Sequence, residues 1–176
     1  MGFKYMDNEV KKQIAFRIIA RVSTGFSFIE DKYIVPQRKA GGPDLAWVRN
    51  VYILFSFYFE LLLKSEVVLT KPFADIVELS SKLKRLGHNI KAICDEIDNL
   101  DDIGIKDISF QNGEYKIATF DKIIYVKDFN DIRYDFVEGK VRSLTSNEDS
   151  IIEESLNGAY EILEKIKYKH FNNKTH

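Results

Sequence analysis

The sequence predicts a single, largely α-helical domain that carries a small β-hairpin before its last helix. Three observations support this fold class. Apolar residues recur at the three-and-four spacing of a helix over most of the chain. A central run, residues 51–63, is apolar on every helical face, and Asn112-Gly113 separates two alternating segments, the strongest short-range hairpin signal. With 176 residues, 45% apolar and 30% charged, the composition is that of one globular domain spanning 1–176.

The first predicted helix covers residues 7–22, with Asp7 or Asn8 as its cap. Its expected apolar face comprises Val10, Ile14, Ala15, Ile18, Ile19 and Val22. Residues 23–43 mix aromatic residues with Gly and Pro, so we expect an ordered loop there that has room for a short helix. The turn at 41–44 is expected to reverse the chain and cap the next helix, with an anion site at its amides as the alternative.

The longest predicted helix covers residues 45–69, and Asp44 is its candidate N-cap. Because its interior is apolar on every face, other elements must surround it in a soluble protein, and we expect it to be the hub of the fold. Glu60 lies inside this run, so its carboxylate must be paired or hydrogen-bonded. The run is shorter than the ~20 residues that a bilayer requires, so we expect no membrane span.

Pro72 suits the first turn of the following helix. The expected apolar face of that helix comprises Phe73, Ile76, Val77, Leu83 and Leu86, and the apolar spacing then continues to residue 97. Either one helix is continuous over this stretch, or it breaks at Gly87 and Asn89 caps a second helix. On a continuous helix His88 faces solvent, whereas at a break it can turn inward.

Residues 107–126 change to a period of two, which predicts the hairpin, with 123–126 as a candidate third strand. The last helix is expected to begin near Ser150, where Ser150 and Glu153 form a capping box. Its expected buried stripe comprises Ile152, Leu156, Ala159, Leu163 and Ile166. The polar tail, residues 170–176, is expected to fray.

Common signatures of cofactor, metal and hydrolase sites are absent from the sequence, so we expect no cofactor and no metal. Cys94 is the only cysteine, and a lone thiol fits a reducing compartment, which predicts a cytoplasmic protein. Because Cys94 lies among isoleucines, we expect a small buried hydrophobe, with a nucleophile as the alternative.

The net charge of −1 offers no bulk attraction for nucleic acid. One segment is nevertheless locally basic, and it is either a nucleic-acid face or the solvated side of a helix. The residues of this candidate face are Lys82, Lys84, Arg85 and Lys91.

One constellation of short motifs points to a family. Glu60-Leu-Leu-Leu-Lys64 places a carboxylate and an ammonium four residues apart on the hub helix. Gly87-His88-Asn89-Ile90 follows, and then comes the step Arg133-Tyr134 before the last helix. This order of motifs, over about residues 44–168, resembles the HEPN superfamily, the higher eukaryote and prokaryote nucleotide-binding domains.

The resemblance implies a bundle of four to five helices around a central buried helix, commonly as a homodimer. Many members are RNases of toxin–antitoxin, abortive-infection or CRISPR-associated systems, and others have lost catalysis and bind nucleic acid, nucleotides or proteins. Active members carry Arg-x-x-x-x-His, but no arginine of this chain has a histidine five positions later.

We therefore expect a catalytically degenerate module of a prokaryotic defence or toxin–antitoxin system that binds RNA, a nucleotide or a partner protein. One alternative is an active ribonuclease with a non-standard site. The other is a structural assembly subunit that binds protein but no nucleic acid.

If Glu60, Lys64, His88, Arg133 and Tyr134 converge in the fold, their chemistry suggests a role for each. His88 and Arg133 would be catalytic if the protein is active, through proton transfer and a bidentate phosphate contact. The candidate ligand-binding residues are Glu60, Lys64, Asn89 and Tyr134, the last stacking on a base. The alternative is that Glu60, Lys64 and Arg133 form a satisfied polar network that only locks the helices together.

Overall fold

The computed structural model describes residues 5–36, 45–129, 132 and 148–172. These residues form five α-helices and one small sheet, which confirms the predicted fold class: a mainly helical protein with strands before the last helix. A π-helical turn, Glu30–Ile34, follows the first helix, and a 3₁₀ turn, Leu100–Ile103, precedes the sheet. The elements in chain order are α1 (Asn8–Ile29), α2 (Leu45–Thr70), α3 (Ile76–Leu86), α4 (Ile90–Cys94), β1 (Asp107–Gln111), β2 (Glu114–Ala118), β3 (Ile123–Lys127) and α5 (Glu148–Phe171).

The predicted hub, α2, is surrounded by other elements. Helices α1, α4 and α5 and strand β3 all pack against it, and over residues 47–70 only Asn50 is exposed. Phe26 of α1 and Phe55 and Phe59 of α2 form a buried series of rings with centroids 6.0 and 5.9 Å apart. Bulky aromatic side chains therefore fill the contact between α1 and α2. In the described part of the chain, no helix is long and apolar enough to cross a membrane.

Helix α1 begins as predicted, because the Asp7 carboxylate accepts the Glu9 amide at 2.7 Å. It continues to Ile29, so the loop predicted from residue 23 is wrong in its first part. Gly25 lies inside this helix and does not break it. Glycine is required at this position for packing, because a Cβ would overlap the Tyr58 ring. Residues 30–36 of the predicted loop are helical as well, and residues 37–43 and the predicted cap Asp44 lie outside the described residues.

The buried face of α1 is rotated from the predicted one. Ala15, Ile19 and Val22 are buried as expected, but Val10 is 44% exposed and Lys11 is buried. The Lys11 ammonium donates to the carbonyls of Leu69 (3.3 Å) and Lys71 (3.1 Å), where α2 ends. A cation therefore satisfies the terminal carbonyls of the hub helix, and the accompanying burial lowers the pKa of Lys11.

Helix α3 begins later than predicted. Pro72 lies before the helix rather than in its first turn, since the Asp75 carboxylate caps it by accepting the amides of Val77 and Glu78, each at 2.9 Å. This cap turns Ile76 and Val77 outward, with exposures of 55% and 68%. The predicted apolar face is therefore wrong at these two positions.

The sheet is antiparallel in the order β1-β2-β3, which confirms the hairpin and the candidate third strand. Asn112 and Gly113 both have positive φ, 54° and 72°, as the predicted two-residue turn requires. Ile117 of β2 lies opposite Ile108 of β1 and Ile124 of β3. Strand β3 packs against both α2 and α5.

Helix α5 extends beyond its predicted bounds at both ends. Ser150 lies inside the helix, so the predicted capping box is wrong. The predicted stripe is fully buried, namely Ile152, Leu156, Ala159, Leu163 and Ile166. The helix also continues to Phe171, so residue 170 is part of the fold rather than of a frayed tail. Residues 173–176 lie outside the described ranges.

A buried carboxylate holds the end of α5 in place. Glu66 of α2 is 0% exposed, and its two oxygens contact Lys169 Nζ at 2.9 Å and His170 Nε2 at 2.8 Å. Lys169 also contacts Asp102 at 3.1 Å. Fraying of this last turn would leave a buried charge unpaired, which is costly, so the turn stays helical.

We predict that replacing Lys169 and His170 together by Ala lowers the free energy of unfolding by about 3–5 kcal/mol, the usual cost of an uncompensated buried charge. Urea denaturation measures this difference. Tyr168→Ala is the matched control, because Tyr168 is 71% exposed and should change stability by less than about 0.5 kcal/mol. Equal stability of the double variant and the control would contradict the assigned role of Glu66.

Candidate functional site

The helical stretch of residues 76–94 is broken at Gly87, which decides between the two predicted arrangements. Gly87 ends α3 with a φ of 56°. Asn89 then caps α4, its side-chain oxygen accepting the Ala92 amide at 2.9 Å. Asn89 was a candidate ligand-binding residue, and this hydrogen bond gives it a local structural role. The break turns His88 toward the hub helix.

Glu60 joins this break to the centre of the fold. One of its oxygens lies 2.6 Å from Lys64 Nζ, and the other lies 2.7 Å from His88 Nδ1. The same Lys64 ammonium donates to the Gly87 carbonyl at 2.7 Å. Glu60 and Lys64 are only 3% and 9% exposed, so neither presents its charge at the surface. Their geometry is that of a satisfied network that locks α2 to the α3–α4 junction.

His88 is the part of this network that solvent reaches. Its side chain is 38% exposed. A carboxylate only accepts hydrogen bonds, so Nδ1 carries the proton shared with Glu60. In the part of the chain that the structure describes, no group hydrogen-bonds to Nε2. The ring lies against Phe129, with centroids 4.4 Å apart and planes inclined by 32°. Phe129 is itself partly exposed. The junction thus presents two adjacent rings on a rigid support.

Phe129 did not emerge from sequence reasoning, although a signal was present. It is a lone aromatic residue in a polar segment, Lys-Asp-Phe-Asn-Asp, directly after β3. Its neighbour Asp128 accepts a hydrogen bond from the Tyr115 hydroxyl at 3.5 Å. Burial, followed by the nearby Asp128 charge, raises the pKa of Tyr115 to about 12, so this hydroxyl remains a donor at neutral pH.

Arg133 and Tyr134 lie outside the described residues, so the structure does not place them relative to His88. The preceding residue Ile132 is described. Its carbonyl accepts from Nε and Nη2 of Arg49, both at 3.3 Å, at the N-terminal part of α2.

The four residues of the predicted basic face differ in whether a carboxylate compensates their charge. Lys82 is paired with Glu96 at 2.6 Å, and Lys91 with Asp95 at 3.1 Å. Lys84 and Arg85 are exposed and have no carboxylate partner within the described ranges. Only these last two therefore carry an uncompensated positive charge.

Cys94 is a buried hydrophobe, as the isoleucines around it predict. It is 2% exposed, and burial raises the pKa of its thiol to about 12. The nucleophilic thiolate is therefore scarce at neutral pH. Across residues 5–36, 45–129, 132 and 148–172, no cluster of three His, Cys, Asp or Glu side chains is arranged to hold a metal ion.

Comparisons with protein-family models, curated proteins and solved structures give no match for this chain. The junction between α3 and α4 offers an imidazole whose Nδ1 is held by Glu60, with a second aromatic ring beside it.

We predict that Lys64→Met lowers the free energy of unfolding by about 3–5 kcal/mol, because it leaves Glu60 buried without its ammonium partner. The double variant Glu60→Gln/Lys64→Met should recover much of this loss, since it removes both charges. Urea denaturation of the two single variants and the double variant gives the coupling energy.

Lys12→Met is the control for this cycle, because Lys12 pairs with Glu9 at the surface, where such pairs contribute about 0–1 kcal/mol. If the effects of Glu60→Gln and Lys64→Met simply add, the two side chains are not coupled and the proposed lock is absent.

Proposed function

We propose that this protein is a HEPN-like, catalytically degenerate module that binds single-stranded RNA, of the kind found in prokaryotic defence and toxin–antitoxin systems. The pair of partly exposed rings, His88 and Phe129, carries the proposal. The order of the Glu60–Lys64, Gly87-His88-Asn89 and Arg133-Tyr134 motifs supports the HEPN-like assignment. The homodimer implied by that likeness belongs to the same proposal, and sedimentation would test it.

Stacked rings are a common means of holding unpaired bases. A base that stacks on an aromatic side chain contributes about 1–3 kcal/mol to the free energy of binding. Histidine is among the side chains that stack on bases in this way. Glu60 fixes the His88 ring through Nδ1, so binding costs little additional side-chain entropy. The available Nε2 can then contact a base edge or a 2′-hydroxyl.

The surroundings of His88 favour binding over catalysis. Cleavage of RNA by acid–base chemistry requires, besides the base, a group that stabilises the developing charge at phosphorus. Among the described residues, the cation that touches the Glu60–His88 pair is Lys64, which is buried and donates to Glu60 and Gly87. Lys64 therefore stabilises the fold rather than the developing charge on a phosphate.

An active ribonuclease is the second candidate, and one observation favours it. A carboxylate that holds Nδ1 of a partly exposed imidazole is the arrangement in which histidine acts as a general base. In this candidate function, Arg133 would supply the phosphate contact.

Fluorescence anisotropy with a labelled oligouridine tests RNA binding. We expect Phe129→Ala to weaken binding by roughly 5- to 100-fold, the equivalent of about 1–3 kcal/mol for one stacked base. His88→Ala should weaken it in the same direction. Phe110→Ala is the matched control, because Phe110 is 52% exposed and also stacks on a ring, that of Tyr115, but belongs to the sheet.

The RNA-binding proposal fails if the wild-type protein does not bind the oligonucleotide, or if Phe129→Ala behaves like Phe110→Ala. Gel analysis of the same RNA separates the two candidates. Intact RNA supports the degenerate module, whereas cleavage that both His88→Ala and Arg133→Ala abolish establishes the ribonuclease. Binding of a protein partner without any RNA would instead support an assembly subunit.

A further inference from the structure

A second feature of the molecule is a pocket of about 280 Å³ beside α3. One face of the helix lines it, because Glu78, Ser81, Lys82 and Arg85 follow one another at steps of three, one and three residues. Lys71 and Glu96, which lie outside α3, also line it. Neither His88 nor Phe129 lines this pocket, so it is separate from the proposed RNA site.

Among the described residues that line the pocket, one cation has no carboxylate partner. Glu96 is bound by Lys82 at 2.6 Å, and a carboxylate oxygen of Glu78 accepts the Ala74 amide at 2.6 Å. Lys71 is paired with Asp98, which does not line the pocket. Arg85 is exposed and has no carboxylate partner in the part of the chain that the structure describes. Arg85 is therefore the lining cation that can bind an anion, with Ser81 one helical turn away. The Glu78 carboxylate, which also lines the pocket, lies seven residues before Arg85, about 10 Å along the helix axis.

We infer that this pocket binds the phosphate group of a small phosphate monoester. A guanidinium binds phosphate through two parallel hydrogen bonds, and Ser81 can donate a third. The Lys71 and Lys82 ammonium groups, although paired with Asp98 and Glu96, have further N–H donors for a phosphate oxygen. Phosphate fits this set better than a carboxylate does, because it offers three oxygens to donors that come from several directions. The pocket volume lies just below the range of typical small-molecule sites, which suits a single phosphate and its sugar.

Titration of the ¹⁵N-labelled protein with inorganic phosphate and with uridine 5′-monophosphate tests this inference. We expect saturable shifts of the Arg85 and Ser81 signals with both compounds, and none with uridine or sodium acetate. If only the nucleotide saturates the site, the sugar or base is also recognised, whereas equal affinities assign the site to phosphate alone. Both outcomes support a phosphate site.

Two variants with opposite expected effects sharpen the test. Arg85→Ala should weaken phosphate binding roughly tenfold or more through the loss of charge-assisted hydrogen bonds. Glu96→Gln should strengthen it, because it removes a nearby negative charge and releases Lys82. Arg17→Ala is the matched control, an exposed arginine on α1 away from the pocket.

The inference is overturned if neither phosphate compound gives saturable shifts, if acetate binds equally well, or if Arg85→Ala behaves like Arg17→Ala. Because the readout is phosphate binding by a pocket without His88 or Phe129, failure here leaves the RNA-binding proposal standing, and failure of RNA binding leaves this one standing.

Discussion

The carboxylate of Glu60 is the point on which the arrangement of the molecule depends. Helix α2 is buried on almost every side, so a charge near its centre must be compensated from within the fold. Lys64 compensates one oxygen, and His88 contacts the other. Because Lys64 also binds the Gly87 carbonyl, the break between α3 and α4 is fixed to the hub. The exposed ring of His88 is a direct consequence of this internal requirement.

A second buried carboxylate, further along α2, is also contacted by a lysine and a histidine. Glu66 is fully buried, and a lysine and a histidine from the last turn of α5 contact its two oxygens. Apolar burial supplies most of the stability of such a fold, but it does not by itself specify which segments meet. The two buried carboxylates help to do so, since His88 satisfies one and Lys169 and His170 satisfy the other from segments distant in the sequence. One of these clusters ends at the surface with His88, and the other anchors the end of α5.

The features that sequence reasoning found are those with local signals. The span of α2, the Asn112-Gly113 turn and the buried stripe of α5 follow from periodicity and turn chemistry alone, and the Glu60–Lys64 pair follows from their spacing. The break at Gly87 could not be decided from apolar spacing, because both arrangements share it.

The features that it missed depend on partners distant in the sequence. Gly25 continues a helix because Tyr58 packs on it, and Lys11 is buried because the end of α2 needs a donor. His170 stays in the helix because Glu66 needs a partner, and Phe129 belongs to the site because it lies on His88. No pattern within one segment reveals such pairings.

The tautomer of His88 tests the central role of Glu60 most directly. Long-range ¹H–¹⁵N NMR spectra at about pH 8, where an ordinary histidine is neutral, show which ring nitrogen carries the proton. We predict a proton on Nδ1, because the Glu60 carboxylate can only accept. A ring that carries its proton on Nε2 alone, unchanged in Glu60→Gln, would contradict the account.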